Sequence, residues 1–121
     1  MSKRILVVED DEDSRRILRD LLASADYQML DAEDGKQGIA VAEAQRPDLI
    51  LMDIQLPLVD GYDATRRIKT NPELRSIPII VVTSLASSDG EAKARAAGCD
   101  DYITKPYSPR QLLAKIKEQL L

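Results

Sequence analysis

Leu49-Ile50-Leu51-Met52-Asp53 is the stretch on which the fold turns: four large apolar residues in succession, halted by a carboxylate. Apolar side chains at consecutive rather than alternate positions mark a strand covered on both faces, as in a parallel sheet held between helices. Working outward, the pattern recurs. Ile5-Leu6-Val7-Val8 is a second such run and stops at Glu9-Asp10, while Ile77 to Val82, with Pro78 near its start, is a third and stops at Thr83. Tyr27 to Leu30 reads as a weaker strand, and Tyr102-Ile103-Thr104 as a short one before Lys105-Pro106.

Helix-patterned segments fill the intervals. Ile17, Leu18, Leu21, Leu22 and Ala25 recur at helical spacing, with Asp13 or Ser14 as candidate caps and Asp11, Glu12 and Asp13 as charges around the first turn. Asp34-Gly35 opens a second helix running to about Arg46, stopped by Pro47. After a loop from Gln55 to Gly61 that holds Pro57, a third helix runs from Asp60 to Lys69 and ends before Asn71-Pro72. Glu91 to Ala97 is an alanine-rich fourth helix closed by Gly98, with little bulk to anchor it, and the fifth starts near Ser108 with Leu112, Leu113, Ile116 and Leu120 on one face. Alternation of this kind predicts an α/β fold with right-handed crossovers. At this length it is a doubly wound, five-stranded parallel sheet of order 2-1-3-4-5 flanked by five helices.

The 121 residues predict one domain, 1–121. Seventeen basic against 21 acidic side chains give a net charge of −4, and the basic residues are scattered, so nothing favours direct DNA binding. There is no His, Trp or Phe, and one Cys, Cys99, read as a packed small residue. Lack of His excludes Ser-His and Cys-His catalysis, His-containing zinc sites and a phosphohistidine of the chain's own. A lone Cys excludes an internal disulfide. No apolar run approaches a signal peptide or membrane span, so the expectation is a soluble cytoplasmic protein without membrane contact.

In doubly wound sheets, ligands sit outside the carboxyl ends of the strands at the switch point. The strand ends here carry Glu9-Asp10, Asp53, Thr83 and Lys105. Neighbouring first and third strands, about 4.8 Å apart, bring three carboxylates into one depression. A single strand-end acid often does no more than cap the next helix. Asp53, however, is separated from its helix by a proline-containing loop, and three like charges together call for a hard divalent cation with oxygen ligands. Magnesium accepts phosphoryl oxygens as further partners; Lys105 adds positive charge and Thr83 a hydroxyl donor.

The combination Val7-Val8-Glu9-Asp10, Asp53 followed by Pro57 and Gly61, Thr83-Ser84, and Tyr102 with Lys105-Pro106 resembles the CheY-like receiver domain of two-component response regulators, over essentially the whole chain. The resemblance implies that Asp53 is the phosphoacceptor and that Glu9, Asp10, Asp53 and the backbone carbonyl of Gln55 hold Mg2+. It implies that Lys105 contacts the phosphoryl group, that Thr83 hydrogen-bonds to it, and that Tyr102 is the aromatic switch partner of Thr83. Gln55, Ser84, Leu85 and Pro106 border the phosphoryl site. The phosphodonor is then a sensor histidine kinase or a histidine phosphotransfer protein, and output is to a downstream protein through helix 4, strand 5 and helix 5. Lys93, Arg95, Tyr107, Lys115 and Lys117 are candidate contacts on that face.

The chain's end just after the fifth helix points to a stand-alone regulator, either a monomer or a phosphorylation-dependent homodimer; a fragment of a longer regulator would read identically. Two other classes compete. A magnesium-dependent phosphatase of the haloacid dehalogenase kind also uses an aspartyl-phosphate, but carries a second Asp two residues after the nucleophile, where this chain has Gln55. A binding module independent of phosphorylation would lack an acid or the lysine, and all are present.

Overall fold

A computed structural model describes residues 2–84 and 88–121. The strands are β1 (Arg4–Val8), β2 (Gln28–Ala32), β3 (Leu49–Asp53), β4 (Ile79–Thr83) and β5 (Asp101–Thr104). The helices are α1 (Glu12–Ser24), α2 (Gly35–Gln45), α3 (Gly61–Thr70), α4 (Ser88–Ala97) and α5 (Pro109–Leu120). All strand pairs are parallel and the order is β2-β1-β3-β4-β5, as the sequence predicts. No helix among the described residues is long and apolar enough to cross a membrane.

Every residue of β3 and β4 is buried, which is why their sequences are unbroken apolar runs. Their side chains divide between two cores. Leu6, Val8, Ile50, Met52, Ile79 and Val81 face α2, α3 and α4, where Ala42, Ala64, Ile68 and Ala94 meet them. On the opposite face Ile5, Val7, Leu49, Leu51, Ile80 and Val82 pack with Leu18 and Leu22 of α1 and Leu112 and Ile116 of α5. The buried hydrophobic side chains of α4 among the described residues are Ala94 and Ala97, in keeping with the weak anchoring read from its composition.

Several local expectations are corrected. The cap of α1 is Asp11 rather than Asp13 or Ser14: its side chain accepts the Ser14 backbone N–H at 3.0 Å, leaving Glu12 and Asp13 in the first turn. Ile17 is 68% exposed because the buried stripe of α1 runs through Arg15, Leu18 and Leu22, one position round the helix from the stripe the apolar spacing suggests. β2 lies slightly later than Tyr27 to Leu30, its register set by pairing of Arg4 with Gln28 and Val8 with Ala32. α4 begins at Ser88, three residues before Glu91. Asp34 and Asp60 cap α2 and α3, and Ser108 caps α5 in a reciprocal capping box with Gln111.

Candidate functional site

β1 and β3 are neighbours, with Val8 paired to Met52, so Glu9 and Asp53 leave the sheet side by side. Glu9, Asp10 and Asp53 each offer a carboxylate oxygen, and these oxygens lie within 4.8 Å of one another. Glu9 is 5% and Asp53 8% exposed, whereas Asp10 is open to solvent. The rotation from Glu9 to Asp10 at the strand end turns one acid into the sheet's edge and the other toward water.

Each buried acid is already held. Glu9 Oε2 accepts the Asp11 backbone N–H at 3.2 Å, and Asp53 Oδ1 accepts the Ile54 backbone N–H at 2.8 Å. Lys105 Nζ reaches across from the end of β5 to Glu9 Oε1 at 3.2 Å and Asp53 Oδ2 at 3.6 Å. Burial works to lower the lysine's pKa, but the Asp53 and Glu9 carboxylates outweigh it and the net shift is upward, so the ammonium is kept charged. Asp10 is also pushed up, by partial desolvation first and then by the Glu9 carboxylate beside it. Mutual repulsion among three acids with one lysine between them is the electrostatic state that a divalent ion with oxygen ligands relieves, so this donor set fits magnesium.

The turn that presents Lys105 is tight: Lys105-Pro106 is a cis peptide, and the Lys105 N–H donates to the Thr83 carbonyl at 2.6 Å. Thr83 is buried at the end of β4, Ser84 beside it is exposed, and Pro106 is exposed. Leu85 lies outside the described residues. Gln55 is exposed on the loop beyond Asp53. That loop is closed by Gly61, whose N–H donates to the Ile54 carbonyl at 3.0 Å. A Cβ there would stand 2.0 Å from the Asp53 carbonyl oxygen, so only glycine permits the close approach.

Thr83 and Tyr102 project from the same face of the sheet. Tyr102 pairs with Val81, two residues below Thr83, and its half-buried ring packs against the α3–α4 core. The Arg95 guanidinium of α4 lies 5.6 Å from the ring centroid. A groove on this side is lined by Glu91, Arg95, Tyr102, Gln111 and Lys115, so Arg95 and Lys115 do sit together on the helix 4, strand 5, helix 5 face. Lys93 and Tyr107 do not. Lys93 lines a different groove, with Leu58, Tyr62 and Arg66 of the α3 side. Tyr107 lies against the α1 face with Leu18 and Lys105, where burial raises its phenol's pKa.

One residue of the site escapes the sequence reading. Arg15, 8% exposed, donates through Nη1 to the Glu9 carbonyl at 2.7 Å. Its signal is visible in retrospect: it stands one turn before Leu18 on the buried stripe of α1, where an apolar residue would be the rule.

Comparison with known proteins agrees with this geometry. Residues 5–117 match the family model of the response regulator receiver domain. The chain is 41% identical over 120 residues to the polar-differentiation response regulator DivK of Brucella anthropi, covering 99% of this chain and 98% of that one. It superposes on the receiver domain of a sensor histidine kinase from Pseudomonas aeruginosa with a TM-score of 0.92 at 35% identity, covering 99% of this chain and 98% of that one. That crystal structure holds a magnesium ion coordinated in its active-site cleft. A chemotaxis response regulator of Vibrio cholerae aligns at a TM-score of 0.92 and 25% identity, over 99% of this chain and 100% of that one. The phosphatase alternative finds no support in these matches. Similarity that runs through all five strands and includes relatives aligned over nearly their whole length places this chain in the response regulator receiver domain family.

Proposed function

We propose that Asp53 accepts a phosphoryl group from a phosphohistidine on a sensor histidine kinase or a histidine phosphotransfer protein. What carries this reading is the meeting of Glu9, Asp10 and Asp53 within 4.8 Å at the strand ends, with Lys105 bridging two of them. A chain without histidine cannot supply the donor itself, so the donor imidazole comes from a partner.

In the transfer, an Asp53 carboxylate oxygen forms the new P–O bond as the donor's P–N bond breaks. The imidazole leaves with the electron pair and takes up a proton. Lys105 stays charged and places its ammonium where phosphoryl oxygens gather negative charge. Glu9, Asp10, Asp53 and the carbonyl of Gln55 would hold Mg2+, which would supply further positive charge for the phosphoryl oxygens. The Ile54 N–H holds the other Asp53 oxygen and so fixes the plane of attack. Later attack by water on phosphorus breaks that P–O bond, releases inorganic phosphate and regenerates the carboxylate. Gln55, Ser84 and Leu85 border the approach of that water. Thr83, drawn toward the new oxygens, vacates space on the face it shares with Tyr102, and the α4–β5–α5 side changes shape toward a downstream protein.

Incubation with acetyl phosphate or phosphoramidate and Mg2+, read on a phosphate-affinity gel, tests the assignment. Wild type is expected to shift and Asp53→Asn not to. A wild type that never shifts, or a variant that shifts as well, would overturn it.

A further inference from the structure

We infer that Arg15 is a positioning residue for the magnesium acids: it holds the peptide bond that joins Glu9 to Asp10. This rests on the reading of those acids as metal ligands. The guanidinium lies almost wholly inside the protein, yet its partners are not those of an ordinary core ion pair. Nη1 donates to the Glu9 carbonyl at 2.7 Å, the oxygen of the very peptide that links the two ligands. The remaining edges of the fork turn toward β2, with Nη2 3.4 Å from Glu33 and Nε 3.8 Å from Asp31. Asp31 is shared with Arg19 at 3.0 Å.

The other side of the same strand end is held as well, by the Glu9 N–H donating to the Ala32 carbonyl at 3.0 Å. Among the described residues the pairing of β1 with β2 and β3 runs through Val8, so the Glu9–Asp10 peptide lies beyond the ladder. Arg15 holds it from the first turn of α1, where its own backbone N–H makes the helix's first bond, to the carbonyl of the cap Asp11 at 3.0 Å. Release of that carbonyl would loosen the backbone from which both the Glu9 and the Asp10 side chains leave, and magnesium tolerates little departure from octahedral geometry. Asp31 and Glu33 face the guanidinium as counter-charges, and its contact with the ligand-bearing backbone is the hydrogen bond to the Glu9 carbonyl. Outer groups that orient metal ligands change affinity by about 10–100-fold when removed.

Magnesium titration of the unphosphorylated protein, followed by amide chemical shifts around residues 9–11 and 53–56, decides the matter together with melting at several Mg2+ concentrations. Arg15→Met is expected to raise the magnesium Kd about tenfold and to shrink the rise in Tm that Mg2+ produces. A Kd equal to wild type, with Tm lowered by the same amount at every Mg2+ concentration, would leave Arg15 a merely structural residue and overturn the inference. Should Arg15→Met not fold, Arg15→Lys serves. Its single ammonium cannot hold the carbonyl and both carboxylates at once, so a Kd raised severalfold supports the inference and an unchanged one overturns it. A wild type whose shifts ignore Mg2+ would instead remove the magnesium reading itself.

Discussion

Asp10 is the exposed member of an otherwise buried trio, and its environment makes it a destabilising residue until a cation arrives. Desolvation and the Glu9 carboxylate lift its pKa above the ordinary 3.8. A folded-state pKa above the unfolded one means that the metal-free folded protein binds the proton more tightly. This contribution to stability is therefore greatest at acid pH and is lost as pH rises from the ordinary value through the raised one. At pH 7 without divalent ions, Asp10→Asn is expected to melt above wild type, while the increase in Tm on adding Mg2+ disappears in the variant. A variant that melts lower without metal, or still responds to it, would show that Asp10 is neither strained by its neighbours nor a ligand.

Two elements around the site differ in stiffness for reasons that can be read residue by residue. The β3–α3 loop is rigid where it matters, because the backbone of Gly61 presses on that of Asp53. In Gly61→Ala the new methyl meets backbone atoms at 2.0 and 2.7 Å, which cannot swing aside. We expect a loss of about 2 kcal/mol, seen as a Tm lower by roughly 8 °C, with slower labelling of Asp53. Melting within a degree of wild type would show that the loop yields freely. α4 is the contrary case: α3 and α5 bury Ile68, Leu112 and Ile116, whereas the buried hydrophobics of α4 are alanines. Fewer buried apolar contacts mean a lower free energy of local opening. Amide hydrogen exchange should therefore be faster over Glu91–Ala97 than over α3 and α5, and equal protection in α4 and α5 would remove the basis for an easily shifted readout helix.

Across the whole molecule, the proposed function requires that phosphorylation on the α1–α5 side of the sheet be felt on the α3–α4 side. Asp53 and Glu9 continue the alternation that sends Leu51 and Val7 to the α1–α5 core, while Thr83 continues that of Ile79 and Val81 toward the other. Thr83 thus stands at the same end of the sheet as Asp53 while facing the Tyr102 side. Tyr102→Ala should leave labelling by acetyl phosphate within about twofold of wild type while weakening the response of the downstream partner. Labelling lost together with the response would mean that Tyr102 belongs to the chemistry and not to its transmission.

The amino-acid sequence by itself determined the βα alternation, the strand order and the three acids with Thr83 and Lys105 at one end of the sheet. Strands buried on both faces must be apolar throughout, so the residue that ends each run is conspicuous, and parallel winding sends all these ends the same way. Tertiary structure alone decided which stripe of α1 turns inward. Arg15 and Leu18 do and Ile17 does not, because the rotation of a helix about its axis is set by the twisted sheet beneath it and not by spacing along the chain. The same holds for Tyr107, Lys93 and the cap at Asp11: each depends on contacts between residues brought together by packing, and a pattern read along one segment contains no term for its neighbour.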